Sequence, residues 1–434
     1  MRLKFYCIIK SFMIVVWLSI AFVAGAQSRE LPKYLLSTPG VVEIDTLETT
    51  SFFNEKYLVI FRQPLDFKDK EAGYFNQRIF ISHYSFNSPV VFVTEGYSAE
   101  YAAYANYVNE LSAIFNANQI VVEHRYFDQS VPENIDWQYL TTENAARDHH
   151  YIYEAFKNIY RGKWIGTGIS KGGQTALLYN MYYPKDMDVT VAYVAPVAMA
   201  VEDGRHESFL ANIATPKDRK LIINFQKELL KRKDIMVPML EKFSKKNNYT
   251  YRIPIAEVFE YCVLEFSFAF WQWGCNTESI PKTNANDATL FRYLINVCSP
   301  DYFAIEGIES LYPFFYQAAR ELGYYGYDPT PFEKLISLES TKGYFFRIFM
   351  PEGVNIEFDP EIARDLTKFL QERAKRVILI YGEYDPWTAA AADPGPNPNV
   401  LKVIAPGGSH MSRIKTLPKV QHDHLIKTIA SWIK

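Results

Sequence analysis

The segment from Trp164 to Gly173 contains the pattern that most restricts how this chain can fold. It reads WIGTGISKGG, and its residues 168–172 form a G-x-S-x-G pattern between an apolar, strand-like run and a segment with helical spacing. Glycines two positions either side of a serine leave room for a very tight strand-to-helix turn that exposes the hydroxyl, known as a nucleophile elbow. We therefore predict a sheet strand, a helix directly after it, and Ser170 as a nucleophile, with an ordinary glycine-rich turn as the alternative.

Two later loops carry the partners that a nucleophilic serine needs. A serine hydroxyl requires a base and a group that orients the base. The strand-like run 377–381 is followed by Asp385, and the strand-like run 400–405 is followed by His410. The chain order serine, acid, histidine, with each partner after a late strand, is that of α/β-hydrolases. The alternative acids are Asp393 and Asp423, but neither directly follows a strand. The alternative bases, His422 and His424, lie in a terminal segment (420–434) with the pattern of an amphipathic helix and are expected to be solvated.

This spacing predicts a role for each residue. Ser170 Oγ attacks a carbonyl carbon, His410 takes its proton, and Asp385 holds the imidazole tautomer. The oxyanion is expected to bind the backbone N–H of Lys171 and a second N–H from the loop after the strand 90–93, at Gly96 or Tyr97. The side chain of Lys171 is expected to lie on the surface.

The strand pattern predicts an α/β architecture with an insertion. Predicted strands fall at 57–62, 74–83, 90–93, 119–123, 163–167, 189–194, 377–381 and 400–405. The alternation of strands and helices stops between 201 and 373, where helical periodicity takes over. We predict an α/β-hydrolase fold with a core of residues 27–200 and 374–434 and a mostly helical cap of residues 201–373. The aromatic stretch 266–273 is expected to be mainly cap core, with Trp271 or Trp273 reaching a substrate pocket.

The amino-terminal residues 1–26 have the pattern of a signal peptide. Three basic residues, Arg2, Lys4 and Lys10, accompany an apolar run from Ile8 to Val23, and small residues follow at 24–26. An uncleaved anchor is the alternative. No later run approaches 18 apolar residues, so we expect an exported, periplasmic or extracellular protein without stable membrane association. The formal net charge of −3, or −6 without the three basic residues, argues against a nucleic-acid partner.

Three cysteines remain once Cys7 is removed with the leader. Cys262, Cys275 and Cys298 can form one disulfide in three ways. Because Cys262 lies in a long apolar helical pattern and is expected to be a core residue, the pairing Cys275–Cys298 is favoured. Cysteines without suitably spaced histidines do not predict a zinc site, and neither a metal nor another cofactor is expected.

Several stretches outside the elbow carry a family resemblance. They read FRQPLD (61–66), FNQR (75–78), TEGY (94–97), EHRYF (123–127), GTGISKGG (166–173), YVAP (193–196), GEYDPW (382–387) and GGSH (407–410). In these the chain resembles the secreted bacterial tripeptidyl-aminopeptidase and prolyl-aminopeptidase-like serine peptidases of the α/β-hydrolase fold. It is more distantly similar to prolylcarboxypeptidase and dipeptidyl peptidase II. The resemblance implies a peptide substrate cut a few residues from its amino terminus, with proline as a candidate at the cleavage position.

An aminopeptidase must bind an ammonium group, which calls for a carboxylate in a desolvated site. Glu95, beside the expected oxyanion donors, is the first candidate, and Glu202 and Asp203 at the start of the cap are others. Glu95 could instead brace its loop, and the other two could simply begin a helix. The alternative functions are an esterase or lipase with the same triad, and a hydrolase-fold binding protein without catalysis. The sequence leaves the oligomeric state open.

Overall fold

The fold is built on one nine-stranded sheet. The computed structural model describes residues 30–434, so the predicted signal peptide lies outside the described residues. The strands are β1 (Val41–Thr46), β2 (Glu55–Pro64), β3 (Tyr74–His83), β4 (Val90–Thr94), β5 (Asn118–Val122), β6 (Trp164–Ile169), β7 (Val189–Tyr193), β8 (Val377–Gly382) and β9 (Val400–Ala405).

The sheet has the strand order of an α/β-hydrolase, with one extra strand at its edge. The order is β1-β2-β3-β5-β4-β6-β7-β8-β9. The first three pairings, β1–β2, β2–β3 and β3–β5, are antiparallel, and all later ones are parallel. The predicted fold class is confirmed. Sequence analysis missed β1, an edge strand without a fully buried residue, because the alternation of buried and exposed side chains is weak there.

Fourteen helices of the described chain accompany this sheet. They are α1 (Leu31–Ser37), α2 (Glu110–Phe115), α3 (Thr142–Phe156), α4 (Lys171–Tyr182), α5 (Arg205–Asn212), α6 (Pro216–Lys231), α7 (Lys233–Asn247), α8 (Ile255–Gln272), α9 (Asp287–Val297), α10 (Ile305–Ile308), α11 (Tyr312–Gln317), α12 (Tyr344–Phe349), α13 (Glu361–Glu372) and α14 (Lys419–Trp432). No helix within residues 30–434 is long and apolar enough to cross a membrane.

Helices cover both faces of the sheet, which explains why its central strands are apolar throughout. Helices α2 and α14 pack on one face, and α1, α3, α4 and α13 pack on the other. Every residue of β4, β5, β7 and β8 is buried. A parallel sheet covered on both sides has no solvent-facing side, so its strands read as continuous apolar runs.

The chain between β7 and β8 forms a helical layer with its own core. Helix α8 lies at the centre of this layer and contacts α6, α7 and α9. Its sequence is apolar on nearly all sides, as expected for a helix surrounded by others. The last helix before β8, α13, instead packs Leu366 and Phe369 against the sheet. The exact division into core and cap stays a prediction.

A buried ion pair joins the sheet to α3. Arg125, just after β5, donates from Nε and Nη2 to the two carboxylate oxygens of Asp148 at 2.6 and 2.7 Å. Its Nη1 donates to the carbonyls of Leu65 and Tyr139 at 2.9 and 2.8 Å. Because both charged groups are almost fully buried, each depends on the other for its neutralisation.

Candidate active site

Ser170 lies at the turn between β6 and α4, in the backbone conformation that a nucleophile elbow requires. Its φ is 57° and its ψ is −122°, a strained combination for a residue other than glycine. A Cβ on Gly168 would collide with the carbonyl of Gly172, and a Cβ on Gly172 would lie 2.7 Å from the carbonyl oxygen of Thr94. The glycines are therefore required because backbone segments approach each other closely on both sides of the serine.

Asp385 and His410 form a buried pair at the ends of neighbouring strands. Asp385 follows β8 and is fully buried, and its Oδ2 lies 2.7 Å from His410 Nδ1. The other carboxylate oxygen accepts the N–H of Trp387 at 3.1 Å. Since β8 and β9 are parallel neighbours, their loops meet at the same edge of the sheet. This is the edge at which Ser170 follows β6.

The loop that carries His410 is held from two sides. The N–H of Tyr384 donates to the carbonyl of Gly408 at 2.7 Å, which joins this loop to the one that carries Asp385. From the other side, the N–H of His410 donates to the carbonyl of Gln272, the last residue of α8, at 3.0 Å. The helical layer therefore takes part in positioning the imidazole.

Ser170 and His410 line the same cavity, which lies between the sheet edge and the helical layer. Its volume is about 830 Å³, within the range in which pockets bury most of a bound ligand. Its walls are largely aromatic, from Tyr97, Trp273, Phe314, Tyr324, Tyr325 and Trp387. Trp273 is 56% exposed, and its ring meets that of His410 edge-on at 6.3 Å between centroids.

The loop after β4 packs against the start of α4, beside the serine. Tyr97 lines the cavity, and a Cβ on Gly96 would lie 2.7 Å from the N of Gly172. The expectation that the Lys171 side chain lies on the surface is wrong. It is 2% exposed, and its Nζ donates to the carbonyl of Gly96 at 2.6 Å. The tight packing of this loop on the elbow encloses the side chain.

Two carboxylates face the cavity: that of Glu95, which is half-buried and was predicted, and that of Glu265, which is buried and was not. Burial raises the pKa of Glu95 to about 7, although the hydroxyl of Tyr101 donates to it and the ammonium of Lys171 lies nearby. Burial raises the pKa of Glu265, on α8, to about 8. The hydroxyls of Tyr325 and Tyr327 donate to its Oε2 at 3.0 and 2.8 Å. Sequence analysis missed Glu265 because it is one of three glutamates in an otherwise apolar helix, although an acid in such a setting is itself a signal.

Comparison with known proteins identifies the family. Residues 24–434 match the model of the family described as PS-10 peptidase S37. The chain belongs to this family. It is therefore a serine peptidase, and the resemblance noted from the sequence is confirmed.

Several known proteins are similar to this peptidase. The prolyl tri/tetrapeptidyl aminopeptidase of Streptomyces mobaraensis is 30% identical over 94% of this chain and 86% of its own. The prolyl carboxy peptidase like protein 5 of Caenorhabditis elegans is 29% identical over 33% of this chain and 31% of its own. Among solved structures, the proline iminopeptidase of Mycobacterium smegmatis aligns over 82% of this chain and 95% of its own, with 11% identity and a TM-score of 0.40.

Two residues predicted to bind substrate do not line the cavity of the peptidase. Glu202 lies half-buried, and burial raises its pKa although the backbone amides of Phe345 and Gly343 lie beside its carboxylate. Trp271 is 6% exposed and packs against Tyr384 instead. Trp271 and Trp273 are two residues apart, about 200° around a helix, so only one of them can face the cavity.

The other acids and bases considered from the sequence are engaged elsewhere. Asp203 binds the guanidinium of Arg205 at 2.6 Å, which lowers its pKa to about 2. His422 and Asp423 contact each other at 2.9 Å on α14. Asp393 accepts a hydrogen bond from Gln371 at 3.2 Å. None of these residues is among those that line the cavity.

The predicted disulfide is wrong. Cys262, Cys275 and Cys298 are all free, and Cys298 lies beside Cys262 rather than Cys275. The reason is the packing of α9 on α8: Cys298 directly follows α9 and reaches the middle of α8, whereas Cys275 lies beyond the end of that helix.

One cluster outside the cavity has the residue types of a metal site. Potential ligand atoms of His150, Glu154 and Asp186 lie within 4.8 Å of one another. However, His150 Nδ1 already contacts Asp186 at 2.7 Å, and Lys157 pairs with Glu154 at 2.5 Å. These side chains satisfy one another, so we assign no metal to the cluster.

Proposed function

We propose that this peptidase is an aminopeptidase that releases short peptides from free amino termini, with Ser170, His410 and Asp385 as its catalytic triad. The observation that carries the proposal is the buried contact between Asp385 and His410, whose ring faces the same cavity as the strained Ser170. The similarity to a protein named as a prolyl tri/tetrapeptidyl aminopeptidase supports the substrate class.

The geometry supports acylation and deacylation by a serine triad. Ser170 Oγ attacks the carbonyl carbon of the scissile bond, and its proton passes to His410 Nε2. Asp385 accepts the Nδ1 hydrogen and stabilises the imidazolium, which then donates its proton to the leaving amine. Water, deprotonated by the same imidazole, attacks the acyl-enzyme and releases the amino-terminal fragment. The oxyanion receives hydrogen bonds from the N–H of Lys171 and that of Gly96 or Tyr97.

A buried carboxylate explains why a free terminus would be required. An ammonium group taken into an apolar cavity without a partner would cost several kcal/mol, so a carboxylate there gives a strong preference for free over blocked termini. Both Glu95 and Glu265 line the cavity.

We propose Glu265 as the principal ammonium ligand. Glu95 already has the hydroxyl of Tyr101 and the amino group of Lys171 beside it, whereas the partners of Glu265 are two hydroxyls. Glu95 also directly precedes the proposed oxyanion donors, so an ammonium bound there would lie close to the scissile bond. Glu265 lies on a cap helix across the cavity, which fits the release of longer fragments. The original assignment to Glu95 is the competing one.

A preference for proline at the cleavage position is a further part of the proposal. Its support is the aromatic wall, which offers ring surfaces such as Trp387 and Tyr324 to an apolar ring. A proline side chain also leaves no N–H that the apolar wall would have to satisfy.

The first experiment tests the chemistry with a fluorophosphonate probe and two sets of peptides. Wild-type protein should be labelled, Ser170→Ala should not, and cleavage should require a free amino terminus. Labelling that persisted in Ser170→Ala would refute the nucleophile. Efficient cleavage of acetylated peptides or of simple lipid esters would favour the esterase alternative over the exopeptidase.

The second experiment compares the two carboxylates. Glu265→Gln and Glu95→Gln are assayed on the same peptides with free and acetylated termini, with the exposed cap residue Glu333→Gln as control. We expect Glu265→Gln to lose activity selectively on free termini, by about tenfold or more. If Glu95→Gln showed that selectivity instead, the ammonium would bind at Glu95.

We further propose that the protein is exported by cleavage of its first 26 residues. The support is the sequence pattern of basic residues, apolar run and small residues in that segment. Amino-terminal sequencing of protein recovered outside the cytoplasm should begin at Gln27. Recovery of the intact segment from a membrane fraction would instead indicate an uncleaved anchor.

A further inference from the structure

The side chain of Lys171 occupies an unusual position for a lysine. It follows the proposed nucleophile directly, yet burial encloses it and lowers its pKa well below the ordinary value. Its Nζ lies 5.6 and 5.2 Å from the ring centroids of Tyr97 and Phe127. Within the described residues, Nζ makes one hydrogen bond, to the carbonyl of Gly96. Burying an amine is costly, so a specific role is expected.

This hydrogen bond determines the direction of one peptide unit. In a planar trans peptide, the carbonyl oxygen and the following N–H point in opposite directions. Because the Gly96 carbonyl points at Lys171 Nζ, the N–H of Tyr97 points away from it. That N–H has no acceptor within residues 30–434, and Tyr97 lines the cavity beside Ser170.

The neighbouring groups of the loop are already engaged. The N–H of Gly96 lies against the Glu95 carboxylate and lowers its pKa. The carbonyl of Tyr97 accepts the N–H of His124 at 3.1 Å. Further along, the N–H of Ala99 donates to the buried carboxylate of Glu123 at 3.0 Å. The N–H of Glu95 donates to the carbonyl of Val122 at 3.2 Å, so among residues 95–97 the Tyr97 N–H is the donor left available. The N–H of Ser98 also has no acceptor within the described residues, but Ser98 does not line the cavity.

We propose that Lys171 is a positioning residue for the oxyanion hole: through the Gly96 carbonyl, its side chain orients the N–H of Tyr97 towards the substrate oxygen. The inference rests on the proposed function. Lys171 would then control both hydrogen-bond donors of the oxyanion hole. Its side chain orients the N–H of Tyr97, and its own backbone N–H, at the first position of α4, has no intrahelical acceptor and is free to bind the oxyanion. The inference selects Tyr97 over Gly96 as the second donor.

The test uses Lys171→Met, which keeps a similar length without the donor, and the exposed Lys185→Met as control. Three quantities are measured: the rate of fluorophosphonate labelling, the affinity for a peptide aldehyde that forms a tetrahedral adduct, and the affinity for the carboxamide of the released peptide, which carries no carboxylate. We expect the first two to fall together in Lys171→Met, by at least about tenfold and up to the 10²–10³-fold cost of losing one donor. Affinity for the carboxamide should stay within about twofold, because this ligand forms no tetrahedral adduct and carries no oxyanion.

The outcomes separate this inference from the proposed function. Wild-type protein that is not labelled would refute the serine mechanism and the inference with it. If the wild type and the Lys171→Met variant were labelled at the same rate, the inference would be refuted but the serine mechanism would stand. Equal losses in all three quantities would indicate a merely structural lysine and would also refute it.

A second variant covers the case in which Lys171→Met does not fold. Replacing Tyr97 with its α-hydroxy-acid analogue converts the 96–97 peptide bond to an ester and removes only the N–H. We expect the same selective loss of labelling rate and aldehyde affinity. An unchanged labelling rate would exclude Tyr97 as the donor.

Discussion

The titration of Glu265 gives a prediction whose size follows from the structure. This carboxyl is 5% exposed, and burial raises its pKa from 4.5 to about 8. Folding therefore favours its protonated form, so the folded protein is destabilised as the pH rises from about 4.5 through about 8. At 1.36 kcal/mol per pKa unit, the free energy of unfolding falls by about 5 kcal/mol over this pH range.

The perturbation is Glu265→Gln, which replaces the titrating group with a neutral one of the same shape. Below pH 4.5 the two proteins should be nearly equally stable, because both side chains are then neutral. Above pH 8 the variant should be the more stable by up to about 5 kcal/mol. With about 2.1 cal/mol/K per residue over about 400 residues, this difference corresponds to about 6 °C in Tm.

The assay is thermal unfolding of the wild type, Glu265→Gln and the control Glu333→Gln at pH 4, 6, 7 and 9. Groups shared by the wild type and the variant cancel in their difference, so the pH dependence of that difference reports Glu265. A peptide with a free amino terminus should reduce the difference at pH 7, where its amino group is still an ammonium and pairs with the carboxylate. A Tm difference that did not change with pH would refute the raised pKa, and with it the buried environment of this carboxyl.

Three further predictions concern the catalytic pair and the fold. Asp385→Asn should leave the protein folded but lower kcat about 10⁴-fold, because the imidazole would take the wrong tautomer; steady-state kinetics with full near-UV circular dichroism would check this. Asp148→Asn should destabilise the protein by about 3–5 kcal/mol, since it leaves the Arg125 guanidinium buried and unpaired. An unchanged Tm would contradict this interpretation of the pair. Gly168→Ala should prevent formation of the elbow, because its Cβ would collide with the Gly172 carbonyl. Soluble variant protein with normal labelling would show that the elbow can adjust.

The parts of the structure that follow from local pattern could be predicted from the sequence. Strands β4 to β8 appear as short apolar runs because they are buried on both faces. The glycines around Ser170 predict the turn, and the loops with Asp385 and His410 follow strands that can be recognised in the sequence. Parallel strands present their carboxyl ends at one edge, so the order of these elements was enough to predict that the acid and the base lie near the serine.

The parts that depend on contacts between distant segments could not be predicted. Lys171 was expected at the surface, but the loop after β4 encloses it. Cys298 lies beside Cys262 because of how two cap helices cross, which no spacing between cysteines encodes.

The sequence by itself determined the fold class, the elbow and the chain order of the three candidate catalytic residues, because these depend on burial pattern and on turns of a few residues. Only the tertiary structure decided which groups face the cavity. In the sequence Glu265 is part of an apolar helix and has no visible role. In the structure it lines the cavity and accepts hydrogen bonds from the hydroxyls of Tyr325 and Tyr327. The reason is physical: desolvation and pairing of a charged side chain are properties of its surroundings, and those surroundings come from segments far apart in the chain.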